Sequence, residues 1–162
     1  MKKLIALILV AVLALSVAAC QPADQGDQGG KPAYKVAMVT DYGDITDQSF
    51  NQTTWEAVQA FGKENNIPTK YYKPTSNDTA GRVASVELAI ADGYNVIVMP
   101  GYAFGETLVE VADVYPEVKF IALDVAEGEG GFTATENVFS AVYQEELSGY
   151  MAGVAAVKLG YK

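Results

Sequence analysis

The stretch Asn95-Val96-Ile97-Val98-Met99 gives the clearest indication of the architecture. Successive side chains of a strand point to opposite faces of a sheet, so four apolar residues in a row require both faces to be buried. Strands buried on both faces are typical of parallel sheets that helices cover on each side. The stretch therefore predicts an α/β architecture.

Further apolar runs lie on either side of this strand and predict more strands. They fall at residues 35–40, 69–73, 118–123 and 138–142. Amphipathic helical patterns lie between or after them, at residues 49–66, 78–93, 105–115 and 144–159. A chain that alternates buried strands with amphipathic helices predicts a doubly wound parallel sheet, which is an α/β lobe.

Local signals predict where two of the helices begin and end. Ser49 followed three residues later by Gln52 has the form of a capping box, in which the serine side chain caps the helix. Asn77 or Asp78 is expected to cap the next helix, and Gly93 is expected to stop it.

The first twenty residues predict export. Lys2 and Lys3 precede an apolar stretch at residues 4–15, and small residues then lead to Cys20, which is the single cysteine of the chain. This pattern predicts a signal peptide at residues 1–19. Val17-Ala18-Ala19-Cys20 resembles the lipobox of bacterial lipoproteins, which implies a lipid anchor on Cys20. The polar, glycine-rich residues 20–33 then predict a flexible tether.

Charge and composition exclude several classes of function. The net charge is −9, and removal of residues 1–19 makes it more negative by two. Such an acidic chain is a poor partner for nucleic acid or an anionic membrane surface. The chain has no histidine, which excludes Ser-His-Asp and Cys-His catalysis and the usual zinc sites. We therefore expect neither an enzyme nor a protein with a metal or a cofactor.

A binding site is expected where the strands end. Ligands of open α/β sheets bind outside the carboxyl ends of the strands, at the N-termini of the following helices. Residues 41–52, 100–105 and Asp124 follow three of the predicted strands. They combine carboxylates and amides with the aromatic residues Tyr42, Tyr102 and Phe104, which suits a flat polar ligand.

The segment DYGDITDQSFNQTTWEAV, at residues 41–58, resembles the opening motif of the basic membrane protein family. VIVMPGYAFG, KFIALD and EELSGYMAGVAA resemble later landmarks of that family in the same order. Its members are lipoprotein receptors of ABC importers and include purine nucleoside receptors. The resemblance implies a type I periplasmic-binding-protein fold, a nucleoside ligand, an ABC permease as partner, and a lipid-anchored position on the extracytoplasmic face of the cell membrane.

The resemblance also implies roles for particular residues. Phe50 would stack on the base, Asp41 and Asn51 would hydrogen-bond its edge, and Asp124 would contact the ribose. Independently of the resemblance, Gly101 after the third predicted strand is expected to let the backbone approach the ligand. Simpler readings stay open: Asp41 and Asp124 could only end their strands, Phe50 could be a core residue, Asn51 could be solvated, and Gly101 could form a bare turn.

The family has two lobes, and this implies a division of the chain. Residues 34–143 would form the N-terminal ligand-binding lobe, and residues 144–162 would form the crossover helix that starts a second lobe. We expect the rest of that lobe to be missing, so that the sequence is a fragment.

Alternative functions are a receptor or sensor for another flat solute, such as a flavin or a sugar derivative, and a metal-dependent hydrolase built on Asp41, Asp44 and Asp47.

Overall fold

The computed structural model describes residues 34–161. The predicted signal peptide, Cys20 and the whole of the predicted tether at residues 20–33 lie outside the described residues. Five strands are present: β1 (Val36–Val39), β2 (Thr69–Tyr72), β3 (Val96–Pro100), β4 (Lys119–Leu123) and β5 (Val138–Ala141). Four α-helices accompany them: α1 (Phe50–Asn65), α2 (Thr79–Ala91), α3 (Gly105–Val111) and α4 (Glu145–Lys158).

The five strands form one parallel sheet in the order β2-β1-β3-β4-β5. Two consecutive strands, β1 and β2, pair directly, whereas the chain crosses over β1 to place β3 on its other side. The direction of winding therefore reverses between β1 and β3. In a doubly wound sheet this topological switch point opens a crevice at the carboxyl ends of the two strands.

Helices cover both faces of the sheet, which confirms the predicted fold class. On one face, the large cluster of buried side chains combines strand residues such as Ile97 and Phe120 with Val86 of α2 and Leu108 of α3. On the other face, Met38 and Val98 pack with Val58 of α1. The central strand β3 contributes to both clusters, as its uninterrupted apolar sequence predicts.

Helix α2 begins and ends where the sequence predicts. The Asp78 side chain accepts a hydrogen bond from the Gly81 backbone N–H at 2.7 Å and so caps the first turn. At the other end, Gly93 has a φ of 84° and donates to Ile90, while Tyr94 donates to Ala89. This double hydrogen bond is a Schellman motif, which needs a residue in the left-handed region after the helix.

The capping box predicted at Ser49 is wrong. Ser49 precedes α1, but its side chain makes no capping hydrogen bond. The carboxylate of Asp47 takes that role and accepts from the backbone N–H groups of Ser49 and Gln52 at 2.8 and 3.1 Å. A carboxylate has two oxygens to share among the free N–H groups of the first turn, so it can replace the serine hydroxyl.

Helix α3 is shorter than predicted, and helix α4 is largely exposed. A helix was predicted at residues 105–115, but α3 ends at Val111 and the chain continues as a turn. Helix α4 has no buried residue, and its large side chains Tyr150, Met151 and Val157 are exposed. Within residues 34–161, none of the helices is both long and apolar enough to cross a membrane.

Candidate functional site

The switch point brings together two of the predicted site residues. Asp41 follows β1 and Gly101 follows β3. Gly101 has a φ of 117°, a backbone conformation that L side chains rarely adopt. A Cβ atom on Gly101 would stand 3.8 Å from the Cβ of Asp41, so the two residues lie side by side at the carboxyl ends of β1 and β3, where a doubly wound sheet has its crevice.

Hydrogen bonds to one carboxylate oxygen hold Asp41 in a fixed orientation. Its Oδ1 accepts the backbone N–H groups of Tyr42 at 2.5 Å and Gly43 at 2.7 Å, and the Nδ2 of Asn51 at 2.9 Å. Partial burial works to raise the pKa of Asp41, but these three donors outweigh it and hold the pKa below its ordinary value of 3.8. Asp41 is therefore an anion at neutral pH.

Asn51 connects two carboxylates and is almost fully enclosed. It is 4% exposed, and its Nδ2 donates to Asp41 Oδ1 and to Asp47 Oδ2, each at 2.9 Å. Its Oδ1 accepts the backbone N–H of Asp41 at 3.3 Å. Both amide hydrogens of Asn51 are thus used inside the protein.

Asp47 anchors the other side of this bridge. Besides the two backbone groups that it caps, it accepts the backbone N–H of Asn51 at 3.4 Å. Desolvation works to raise the pKa of Asp47, but the Asn51 amide and the backbone donors outweigh it and lower that pKa. We call Asp41, Asn51 and Asp47 together the Asp-Asn-Asp bridge.

The bridge explains why a glycine occupies position 43. A Cβ atom on Gly43 would lie 2.5 Å from Nδ2 of Asn51 and 3.1 Å from Oδ1 of Asp41. Any larger residue would push the amide away from the carboxylates. Four positions of the sequence motif, 41, 43, 47 and 51, are therefore parts of a single hydrogen-bonded unit.

The three acids of this loop do not gather around a common point. Asp44 Oδ2 pairs with Lys73 Nζ at 3.1 Å, and both side chains are largely exposed. Asp41 and Asp47 are joined through the Asn51 amide. Within the described part of the chain, no group of acids, cysteines or histidines could hold a metal ion. The geometry thus gives no support to the alternative of a metal-dependent hydrolase.

Phe50 stands beside this unit at the start of α1 and is half-buried. It lines an apolar groove of about 540 Å³ between α1 and the sheet, together with Val98, Ile121 and Leu123. Its ring meets the ring of Tyr143 edge to face, with centroids 6.1 Å apart and planes at 74°. The two rings form an aromatic wall of the groove, and Phe50 directly precedes Asn51 of the Asp-Asn-Asp bridge in the chain.

Asp124 lies after β4 and is held less firmly than Asp41. Its backbone N–H donates to Ala141, but its side chain has no hydrogen bond with any of the residues described. Its φ of 63° is in the left-handed region, which is uncommon for a residue other than glycine. Asp124 lines a depression of about 300 Å³ with Tyr102 and Tyr143.

The structure brings Asp41, Asn51 and Gly101 close together, and Tyr143 links the groove of Phe50 to the depression of Asp124. Tyr143 is absent from the sequence-based site, although its position just after β5 was a signal for it. Phe104, expected to be available to a ligand, is fully buried in the core. Tyr42 and Tyr102 are exposed, as expected of loop aromatics.

Comparison with solved structures supports this architecture. A crystal structure of an ABC transporter solute-binding protein from Aeropyrum pernix K1 superposes with a TM-score of 0.67 and 27% sequence identity. The match covers 76% of this chain and 32% of that one. The likeness confirms the α/β lobe as a fold of solute-binding proteins.

Two curated relatives extend the comparison to sequence. The ABC transporter nucleoside-binding protein BmpA of Lactococcus lactis is 32% identical over 97% of this chain and 45% of its own length. An uncharacterized lipoprotein of Pyrococcus abyssi is 29% identical over 100% of this chain and 39% of its own length. The chain therefore spans less than half the length of these relatives.

A family model matches nearly all of the described residues. Its description is ABC transporter substrate-binding protein PnrA-like, and it covers residues 34–160. The family is one of substrate-binding proteins, which confirms the prediction that the chain is not an enzyme. The match also confirms the resemblance seen in the motif at residues 41–58. The chain belongs to the Bmp family of PnrA-like ABC transporter substrate-binding proteins.

Proposed function

We propose that this chain is the first lobe of a receptor that captures a purine nucleoside between two lobes and delivers it to the membrane permease of an ABC importer. The observation that carries the proposal is the anionic Asp41 fixed beside a half-buried aromatic ring at the switch point. The nucleoside-binding name of the Lactococcus lactis relative supports the choice of ligand.

The chemistry of the site suits a nucleobase. The ring of Phe50 offers a flat apolar surface for a base, and such stacking contributes about 0.5 to 1.5 kcal/mol beyond the area that it buries. Asp41 is ionised and can only accept hydrogen bonds, so it favours a base edge with N–H donors. Gly101 leaves room for a ligand next to this carboxylate.

Asp124 is the proposed contact for the ribose. Its carboxylate has no partner among the described residues and lines a depression next to the aromatic wall. Ribose hydroxyls are donors that can satisfy a free carboxylate, and a bond to a charged acceptor is worth about 1.5 to 3 kcal/mol. Backbone strain at a residue such as Asp124 is often found at ligand sites.

The mechanism that fits one open half-site is closure of a second lobe over the ligand. A ligand that contacts both lobes shifts the population toward the closed form, which the permease then recognises. In this proposal, residues 34–143 form the binding lobe and residues 144–162 lead into the second one. A lobe that encloses only half of the ligand gives roughly millimolar affinity, because enclosure supplies most of the desolvation.

The proposed location is the extracytoplasmic face of the cell membrane, with a lipid on Cys20. Relatives in three Pyrococcus species bear the name lipoprotein, which supports this placement. A flexible tether at residues 20–33 would let the lobe reach its permease while the anchor keeps it at the surface.

The direct test is a titration of the chain, without residues 1–19, followed by ¹⁵N NMR. Inosine, riboflavin and free ribose are added separately up to tens of millimolar. We expect inosine to shift the amide signals of residues 41–51 and of Asp124, with a dissociation constant of roughly 1 mM. Phe50→Ala should weaken inosine binding at least fivefold.

The outcome distinguishes the candidate ligands. Saturable shifts at these residues with riboflavin or ribose, and none with inosine, would replace the nucleoside by a flavin or a sugar derivative. Shifts with none of the three would remove the proposed pocket. Leu159→Ala serves as the control, because this exposed side chain lies just beyond α4 and outside the proposed pocket.

A further inference from the structure

The amide group of Asn51 has no hydrogen left to donate to a ligand. Its side chain is 4% exposed, and both of its amide hydrogens go to carboxylates of the protein. A ligand that took either hydrogen would remove one of the three donors of Asp41 Oδ1 or one of the two donors of Asp47 Oδ2. A hydrogen bond to a charged group contributes about 1.5 to 3 kcal/mol, so the exchange would cost the protein about what the ligand gains.

The two oxygens of Asp41 are not equivalent. Oδ1 receives three donors, two from the backbone and one from Asn51. Oδ2 receives none from the described residues, and it stands 4.0 Å from the place where a Cβ of Gly101 would be. One oxygen is therefore committed to the loop, and the other faces the crevice between β1 and β3.

We propose that Asn51, itself held by Asp47, is a positioning residue that fixes one oxygen of Asp41 so that the other is presented to an N–H or O–H donor of the ligand. The inference rests on the proposed function, and it deepens it by stating which atom reads the ligand. It predicts that the site selects for a hydrogen-bond donor, whereas Phe50 selects for a flat ring of any kind.

The role of Asp47 follows from how the bridge is built. Its Oδ1 accepts from two backbone groups at the start of α1, and its Oδ2 accepts from the Asn51 side chain and backbone N–H. These bonds tie the orientation of the Asn51 amide to the first turn of a sixteen-residue helix. The negative charge of Asp47 also repels that of Asp41 and works to raise the Asp41 pKa. The neighbour of Asp41 on the β3 side is Gly101, which has no charge.

One arm of the test needs no ligand. The carboxyl carbon of Asp41 is followed by ¹³C NMR from pH 2 to 7 in the chain without residues 1–19. We expect Asn51→Ala to raise the Asp41 pKa toward its ordinary value, because the amide donor is lost. Gln52→Ala is the matched control: it removes the neighbouring amide, which bonds Gln48 and Glu56 and does not reach Asp41.

The second arm measures selectivity. Inosine has an N1–H donor, whereas purine riboside has the same flat ring system without that donor. A hydrogen bond to a charged acceptor is worth a factor of about 10 to 100, so we expect the chain to prefer inosine by at least about tenfold. In Asn51→Ala this preference should fall to about threefold or less, while Phe50→Ala should weaken both ligands equally.

The two arms separate failure of this inference from failure of the proposed function. An Asp41 pKa that is the same in the chain and in Asn51→Ala would overturn the positioning role whether or not any nucleoside binds. Equal loss of both ligands in Asn51→Ala would show a direct contact or a general collapse of the pocket. If neither ligand binds the chain, the nucleoside proposal fails and the ligand-free titration still decides the role of Asn51.

Discussion

The loops after β1 and β4 each place an aspartate at the carboxyl edge of the sheet, but they treat it in opposite ways. Asp41 is fixed by three donors on one oxygen, and Asn51 of α1 connects it to Asp47 of the same loop. Asp124 has a free side chain among the described residues and a left-handed backbone. The first loop is organised before any ligand arrives, and the second is not.

The two aspartates can therefore contribute differently to ligand binding within one lobe. A carboxylate that is already oriented loses little entropy when it binds, so it contributes more of its interaction energy to affinity. A carboxylate without partners can adapt to a ligand but must be ordered by it. We infer that Asp41 in the loop after β1 selects the hydrogen-bonding edge of the ligand, and that Asp124 in the loop after β4 adapts to the rest of the ligand.

The largest effect is expected from Gly43→Ala. The new Cβ would lie 2.5 Å from Nδ2 of Asn51, so the bridge would have to shift, at a cost of about 2 to 3 kcal/mol in the free energy of unfolding. Urea denaturation measures this cost. Gly149→Ala is the matched control: it lies in the exposed helix α4 with no neighbour within 4 Å, and it should stabilise the chain by up to about 1 kcal/mol.

A somewhat smaller loss, about 2 kcal/mol, is expected from Asp47→Ala. The change removes a helix cap and leaves one amide hydrogen of Asn51 without its acceptor. Asp44→Ala on the same loop should cost less than about 0.5 kcal/mol, because it loses only an exposed ion pair with Lys73. Equal effects of the two substitutions in urea denaturation would contradict the difference in role.

The pH dependence of stability should reflect the same bridge. The folded-state pKa values of Asp41 and Asp47 are lowered, so their contribution is present above the unfolded value near 3.8 and is lost as the pH falls through the folded values. Stability should thus be level from about pH 7 to 5 and fall below about pH 4. In Asn51→Ala the acid-induced fall should be smaller, and an unchanged fall would mean that the amide does not lower either pKa.

The smallest effect on stability is expected from Asp124→Gly. Glycine adopts the observed φ of 63° without strain, and this gain of about 1 kcal/mol is offset by its greater freedom in the unfolded chain. The net change should stay within about 0.5 kcal/mol. Because folding is preserved, any loss of inosine affinity measured by NMR reports the missing carboxylate, and an unchanged affinity would exclude Asp124 from the site.

The sequence predicted the sheet well because burial on both faces leaves a clear mark. The run at Val96–Pro100 is apolar throughout, and the helices between strands show their own apolar stripes. The start and the end of α2 were also predictable, because Asp78 and Gly93 hydrogen-bond to backbone groups close to them in sequence.

The errors come from contacts that local sequence does not contain. Ser49 has the right spacing for a capping box, but the carboxylate of Asp47, two residues earlier, reaches the same N–H groups. Phe104 follows a strand like a ligand-facing aromatic, yet the short 3₁₀ turn that contains it directs it into the core. The position of Tyr143 after β5 marked it as a candidate, but its contact with Phe50 joins residues 93 positions apart and is not visible in the local sequence of either.

The place where the ligand binds can be observed in an intermolecular NOE experiment on the chain without residues 1–19, saturated with inosine. If the base is read at the edge of β1, the ring protons of Phe50 should show NOEs to the base protons H2 and H8, and the amide of Gly101 should approach the same base. NOEs that connect inosine only to the exposed side chains of α4, or to none of the residues that follow β1, β3 and β4, would show that the ligand does not bind at this edge of the sheet.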